Sequence, residues 1–290
     1  MALPLEFSVI IPTCNRLDKL RACLDCLSPQ VEHFSCEVIV SDDGDDPRVR
    51  EVLAREYPWA TWVSGPRKGP AANRNKGASK AIGQWLIFID DDCLPDFDFI
   101  DSYMSYFREH PEARVAEGVI YSDRPQRSLG EGCPQNLKGQ CFWSCNLALL
   151  KEAFDTLGGF DEDFLYPAYE DLDLYRRIQK GGLEVAFVST ARVCHPWRKL
   201  TTWRRFWQQR HATLTYLKKH PEEMRRLTGW IVIKIAVVRM VRETVPKGIA
   251  FRGRGLPGAL VFDLLDCLFG LFLGTRAILR RLAMRFHKVS

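Results

Sequence analysis

Four short apolar runs, residues 7–11, 38–41, 61–63 and 86–89, alternate with stretches of helical period near 17–27, 47–56 and 70–82. Strands that are apolar on both faces need helices covering both sides of their sheet. A helical crossover also returns the chain to begin the next strand in the same direction. The first half is therefore restricted to a parallel α/β sheet with helices on both faces. Ligands bind such sheets at the carboxyl ends of the strands. Polar residues follow the strands here: Thr13-Cys14-Asn15-Arg16, Asp42-Asp43-Gly44-Asp45 and Asp90-Asp91-Asp92.

The triplet after residues 85–89 is the most informative of these strand ends. On extended backbone Asp90 and Asp92 are expected to share a face while Asp91 points elsewhere. Two carboxylates so placed repel unless a cation lies between them. Oxygen ligands suit a hard divalent ion such as Mg²⁺ or Mn²⁺, which completes its shell with phosphate oxygens. The alternative is an acidic turn closing a buried strand.

Beyond the triplet the chain reads as a helix near 97–109, a strand near 114–121, a Gly/Pro-rich loop at 124–139 and a helix near 151–157. An acidic helix start follows at 169–178, where carboxylates are favoured by unpaired amides. The 290 residues include ten cysteines without a secretory signal, so reduced thiols in a cytosolic setting are expected. Cys23 with Cys26 and Cys141 with Cys145 do not complete a four-ligand zinc set.

The order of motifs resembles the family 2 glycosyltransferases, enzymes of GT-A fold that use nucleotide-sugar donors. The matching pieces are Ser8 to Thr13, Val40 to Gly44, Ala72 to Gly77, the Asp90–Asp92 triplet in place of the family's Asp-x-Asp, Gly158 to Asp161, and Glu170-Asp171. They cover roughly residues 6 to 200. The resemblance implies a GT-A fold, Rossmann-like with a mostly parallel central sheet and flanking helices. It also implies an inverting, metal-dependent transfer from a UDP-, GDP- or dTDP-sugar.

Carried over position by position, Pro12, Thr13, Cys14 and Asp43 would hold the base and ribose, although many relatives carry an aromatic residue where this chain has Cys14. Arg74, Asp90 and Asp91 would face the donor. Asp90, Asp92 and His195 would hold Mn²⁺ or Mg²⁺. Asp171 is the expected general base, with Glu170 and Asp173 as rivals. Trp143, Gly159, Phe160 and Asp161 would form the acceptor side.

Residues 1–195 carry 21 basic and 31 acidic side chains, and residues 196–290 carry 20 and 5. Two domains are expected, a catalytic one over 1–200 and a basic helical extension over 201–290. The segment 203–219 mixes Arg and Lys with Trp203, Phe206 and Trp207, which suits an anionic membrane surface. The apolar stretches 230–241 and 256–273 are broken by Lys234, Arg239, Asp263 and Asp266, which argues against a comfortable transmembrane span. On a helix, Asp263, Asp266, Gly270, Gly274, Arg281 and Arg285 share one narrow face. The expected location is the cytoplasm, peripheral to the inner membrane face, with a glycan or lipid-linked acceptor. Two other classes are weighed. A nucleotidyltransferase would place a Gly-rich loop after the first strand, where Pro12 to Arg16 stand. A nucleic-acid binder would use the basic tail, but Asp90, Asp92 and Asp171 point to catalysis.

Overall fold

A computed structural model of the chain describes residues 6–200, 202–223 and 229–286. It divides into two compact units. One comprises the chain up to Arg124 together with Cys133–Pro196; the other comprises Pro125–Gly132 and the chain from Trp197 onward.

The first unit begins as the sequence suggests. Strands β1 (Phe7–Thr13), β2 (Cys36–Asp42), β3 (Ala60–Ser64) and β4 (Trp85–Ile89) alternate with helices α1 (Leu17–Val31), α2 (Arg48–Glu56) and α3 (Pro70–Ala78). Then follow β5 (Leu94–Pro95), α4 (Phe99–Glu109), β6 (Val115–Ser122), β8 (Asn146–Leu150), α5 (Lys151–Thr156), α6 (Glu170–Lys180) and β9 (Val185–His195). The short β7 (Glu131–Gly132) belongs to the second unit.

The eight-stranded sheet has the order β3-β2-β1-β4-β8-β6-β9-β5. β1 pairs in parallel with both β2 and β4, bringing the ends of all three strands to one edge. Adjacent residues of β1 face opposite layers: Val9 and Ile11 pack with Leu24, Ile87 and Tyr103, whereas Ile10 packs with Phe88, Leu149 and Leu174. Burial on both faces explains the continuous apolar runs.

Within the mostly parallel sheet that was expected, antiparallel pairing enters at β8. That strand runs antiparallel to β4, with Ile89 opposite Asn146, and antiparallel to β6 as well. The sheet is thus mixed. Helix α3 also ends at Ala78 instead of reaching residue 82, because the Ile82 and Gly83 amides donate to Glu37 Oε1 at 2.7 and 3.3 Å. Ile82 is 73% exposed, so nothing apolar draws the helix onward.

The second unit pairs β7 with β10 (Arg198–Lys199) and contains α7 (Thr202–Lys219), α8 (Gly229–Arg239), α9 (Val245–Ala250) and α10 (Leu256–Phe286). A π-helical turn, Met240–Thr244, joins α8 to α9 just before Pro246, which cannot donate an amide to the helix. Arg281 and Arg285, expected on the polar face of α10, lie outside the residues whose side chains are described.

Candidate active site

The carboxylates of the triplet separate. β4 ends at Ile89, and the Cys93 amide donates to the Asp90 carbonyl at 3.1 Å, closing a turn. Side-chain alternation ends where extended backbone ends, so the expected sharing of a face by Asp90 and Asp92 gives way to another arrangement. Asp90 Oδ1 accepts from Arg74 Nη2 at 2.7 Å. Asp91 accepts from Thr13 Oγ1 at 2.7 Å and Arg16 Nη1 at 3.0 Å, and Asp92 Oδ2 lies 3.4 Å from Arg16 Nη1 and 3.1 Å from Lys19 Nζ. Burial pushes the Asp91 carboxyl up to about 6, against the downward pull of Arg16 and the Thr13 hydroxyl.

The other oxygen of Asp92 faces His195. Asp92 Oδ1 and His195 Nε2 are 3.3 Å apart, and both side chains are buried. The His195 Nδ1 lies 2.9 Å from the Pro196 carbonyl, which fixes the proton there and turns the Nε2 lone pair toward Asp92 when the ring is neutral. Burial draws the imidazole down, but the hydrogen bond to Asp92 prevails and holds it up at about 10. A positive charge is thus favoured between these two side chains, and either a proton or a metal cation can supply it. Cys93 Sγ lies within 4.8 Å of the same atoms, but it donates to the Cys145 carbonyl and its pKa is raised well above the usual thiol value. Asp92 and His195 together fit a divalent ion; Asp90 is directed to Arg74.

Arg74 joins the early strand ends to the start of α6. Its guanidinium is fully buried, donates to Asp90 and lies 3.2 Å from Glu170 Oε1, with the Phe160 ring 5.5 Å away. Tyr169, just before the helix, is held in the left-handed region at φ 70°, a strained conformation for a side chain of its size. The residues that follow it, Glu170 and Asp171, are both buried. Desolvation raises Glu170 to about 8, helped by the charge of Asp171 and opposed by Arg74. Desolvation likewise raises Asp171 to about 6, opposed by the Leu172 amide, Arg74 and the Ser144 amide. Glu170 Oε2 has no hydrogen-bond partner among the described residues. Asp173 is engaged elsewhere: it binds Arg177 at 2.7 Å, which donates to the carbonyls of Leu157 and Gly159.

The Ser144 contact brings the Trp143 segment beside Asp171, and Trp143 is 40% exposed. Gly159 (φ 69°) and Phe160 are fixed by Asn75, which accepts from the Phe160 amide at 2.9 Å and donates to its carbonyl at 2.8 Å. Asp161 forms a local turn by accepting from the Asp163 amide.

At the β1 and β2 ends, Asn73 donates to the carbonyls of Thr13 and Ser41 at 3.2 and 2.8 Å and accepts from Ser41 Oγ at 2.6 Å. This buried amide clamps two strand ends beside Pro12 and Asp43. Asp43 Oδ1 accepts the Arg67 amide at 2.8 Å, and desolvation raises its pKa. Cys14 is exposed, yet partial desolvation of its thiol and the nearby Asp43 and Asp42 charges raise its pKa above the usual thiol value.

Sequence reasoning did not assign roles to Arg16, Lys19, Asn73, Asn75 or Glu117. Glu117 is buried on β6 and accepts the amides of Gln140 and Phe142 and the Asn136 side chain, which orders the loop before Trp143. Asn73 and Asn75 flank Arg74 in one motif, which is the available signal for them; Glu117 has none, since its partners lie about 20 residues away.

A family model described as Glycosyl transferase family 2 matches residues 8–130, and another, the N-terminal domain of galactosyltransferase, matches 131–198. The glycosyltransferase AglE of Haloferax volcanii is 31% identical over 206 residues, covering 66% of this chain and 67% of that protein. Validoxylamine A glucosyltransferase of Streptomyces hygroscopicus subsp. jinggangensis is 28% identical over 223 residues; the chain spans about half of that relative's length, 52%. The mannosyltransferase PcManGT from Pyrobaculum calidifontis, solved with GDP-Man and Mn²⁺, superposes with a TM-score of 0.59 at 16% identity, covering 91% of this chain and 87% of that one. At that identity the likeness establishes the fold.

Proposed function

The chain belongs to glycosyltransferase family 2, and on that premise we propose that it is an inverting, metal-dependent transferase. It moves a sugar from a nucleoside diphosphate to a glycan or lipid-linked acceptor at the inner membrane face, in the making of an envelope polysaccharide. Succinoglycan biosynthesis protein ExoA of Rhizobium meliloti, 25% identical over 236 residues, supports the last element. The observation that carries the reading is the separation of two buried acidic centres, Asp92 with His195 and Glu170 with Asp171, bridged by Arg74 and Asp90.

Asp92 and His195 would hold a divalent ion, and a nitrogen ligand there would favour Mn²⁺ over Mg²⁺. Such an ion supplies positive charge that offsets the negative charge developing on the nucleoside diphosphate as it departs. Asp43, just past the end of β2, offers hydrogen bonds to the base and ribose, while Thr13 at the end of β1 is held to Asp91 and Asn73 fixes the spacing of the two strand ends. Arg16 and Lys19, about half exposed, are available to the diphosphate from the opposite side of Asp92.

Asp171 is the base. Burial raises both carboxyls of the Glu170–Asp171 pair, and the Leu172 amide, donating to Asp171 Oδ1 at 2.8 Å, favours the ionised form of Asp171. Asp171 takes the proton of an acceptor hydroxyl as that oxygen bonds to the anomeric carbon. The bond from that carbon to the diphosphate oxygen breaks on the opposite face, and the configuration inverts. Trp143 and the Gly159–Phe160 backbone border the acceptor's approach.

The test is release of nucleoside diphosphate from a panel of UDP-, GDP- and dTDP-sugars with Mn²⁺ or Mg²⁺, with donor binding measured in parallel by calorimetry. Asp92→Ala is expected to lose metal-dependent donor binding. Asp171→Asn is expected to keep donor binding and lose about 10²–10⁴-fold in transfer, the range for removal of a general base. Near-normal transfer by Asp171→Asn would overturn the assignment of the base.

A further inference from the structure

The second unit is polarised in the reverse of the usual sense. Asp263 and Asp266 on α10 are 2% and 4% exposed, while Leu264 between them is 61% exposed. All four carboxylate oxygens face partners. Asp263 accepts from Arg239 Nε at 2.6 Å and Thr244 Oγ1 at 2.7 Å. Asp266 pairs with Arg239 Nη2 at 2.7 Å and Arg210 Nη1 at 3.2 Å. Two arginines and two aspartates make a neutral cluster, closed over by Phe262 and Phe269 against the guanidinium faces.

Outward, α10 presents Pro257, Val261, Leu264, Leu268, Leu271 and Phe272, all exposed. At 100° per residue these fall on one stripe about 100° wide, and no charged side chain interrupts it. The stretch Leu256–Thr275 is long and apolar enough to cross a membrane by length and composition, yet only 22% of it is buried. Helix α8 adds exposed Trp230 and Val237, and the π-helical turn after it adds Val241. The two helices approach through glycine: a Cβ on Gly229 would stand 2.2 Å from the Gly270 carbonyl and 2.5 Å from the Gly274 amide. Close glycine contact with polar groups turned inward is how helices pack in lipid, where apolar burial between helices contributes little.

We infer that the outward stripe of α10 is immersed in the acyl chains of an anionic phospholipid bilayer, with the Arg239–Asp263–Asp266–Arg210 cluster neutralising its acids. The two acids that argue from sequence against a comfortable span are neutralised inside the unit, and so do not face lipid. Charge complementarity selects the lipid: residues 196–290 carry 20 basic and 5 acidic side chains, and Arg252 and Arg254 are exposed just before α10. The inference rests on the membrane-face placement proposed above and sharpens it from headgroup adsorption to immersion.

The test floats the full chain with phosphatidylcholine vesicles containing phosphatidylglycerol, at 0.1 and 1 M NaCl. Adsorption through surface charge is screened at the higher salt, whereas immersion is not. The wild type is expected to float equally, within about twofold, at both. Leu264→Glu with Leu268→Glu is expected to cut flotation at least about tenfold, since charges placed on the immersed stripe oppose insertion. Nucleoside-diphosphate binding, measured on the same preparation, should persist and so report that the chain is folded. Release of the wild type by 1 M NaCl would overturn immersion and leave peripheral attachment standing. Absence of flotation at both salts would overturn both. A double variant that floats like the wild type, or that merely converts a dimer to a monomer, would assign the stripe to something other than lipid.

Discussion

Replacing Glu170 by Gln should reverse its effect on stability between acid and alkaline pH. Glu170 is 3% exposed, and its pKa in the folded chain stands at about 8 against an ordinary value of 4.5. Between those two values the folded chain holds a proton that the unfolded chain has released, so stability falls as pH rises through the window and the loss is complete above about 8. A rise of that size, at about 1.4 kcal/mol per unit, corresponds to about 5 kcal/mol. Gln is neutral throughout, keeps an oxygen for Arg74 and leaves nothing to ionise beside Asp171. Urea unfolding of wild type and Glu170→Gln, followed by tryptophan fluorescence at pH 5 and pH 8.5, reports on the Glu170–Asp171 pair because the titrating residues outside it are common to both. The expected result is near equality, or a slight deficit for the variant, at pH 5 and an advantage of several kcal/mol, on the order of 5, for the variant at pH 8.5. Stability curves that stay parallel, within about 1 kcal/mol, would mean that Glu170 is ionised throughout and balanced by Arg74, against the protonation that burial favours.

Asn73→Ala removes three buried hydrogen bonds, to the Thr13 and Ser41 carbonyls and from Ser41 Oγ; it should cost about 2–4 kcal/mol in urea unfolding and weaken nucleotide binding. Gly159→Ala places a Cβ 2.7 Å from Asn75 Oδ1 at a φ of 69°, and should cost about 1–3 kcal/mol while lowering kcat more than it changes donor affinity.

The strand ends that build the donor side were legible because each depends on local signals. β1, β2 and β4 are short β-branched runs, each bounded by a polar turn, and Thr13, Asp43 and Asp92 follow from where those runs stop. β8 was illegible for the opposite reason. Its five residues, Asn146–Leu150, run directly into α5, and only pairing with β4, some 60 residues earlier, makes them a strand. β9 hides similarly: its register against β6 shifts between Gly118 and Val119, and its burial pattern does not alternate. Within the site, identity was easier to read than direction. The turn after Asp90 sends the three carboxylates to Arg74, to Thr13 with Arg16, and to His195 with Lys19, and no periodicity encodes a turn of that kind.

Arg74 binds Asp90 and Glu170, which lie 16 and 96 positions away along the chain. One guanidinium serving two carboxylates ties together the mutational histories of three distant positions. Loss of the arginine strands both acids, and loss of either acid changes the company of the other. In the descent of sequences sharing this fold, the three should be kept or exchanged as a set, and a chimaera joining residues before about 110 to a foreign second half should work only where the incoming helix brings an acid for Arg74 to hold.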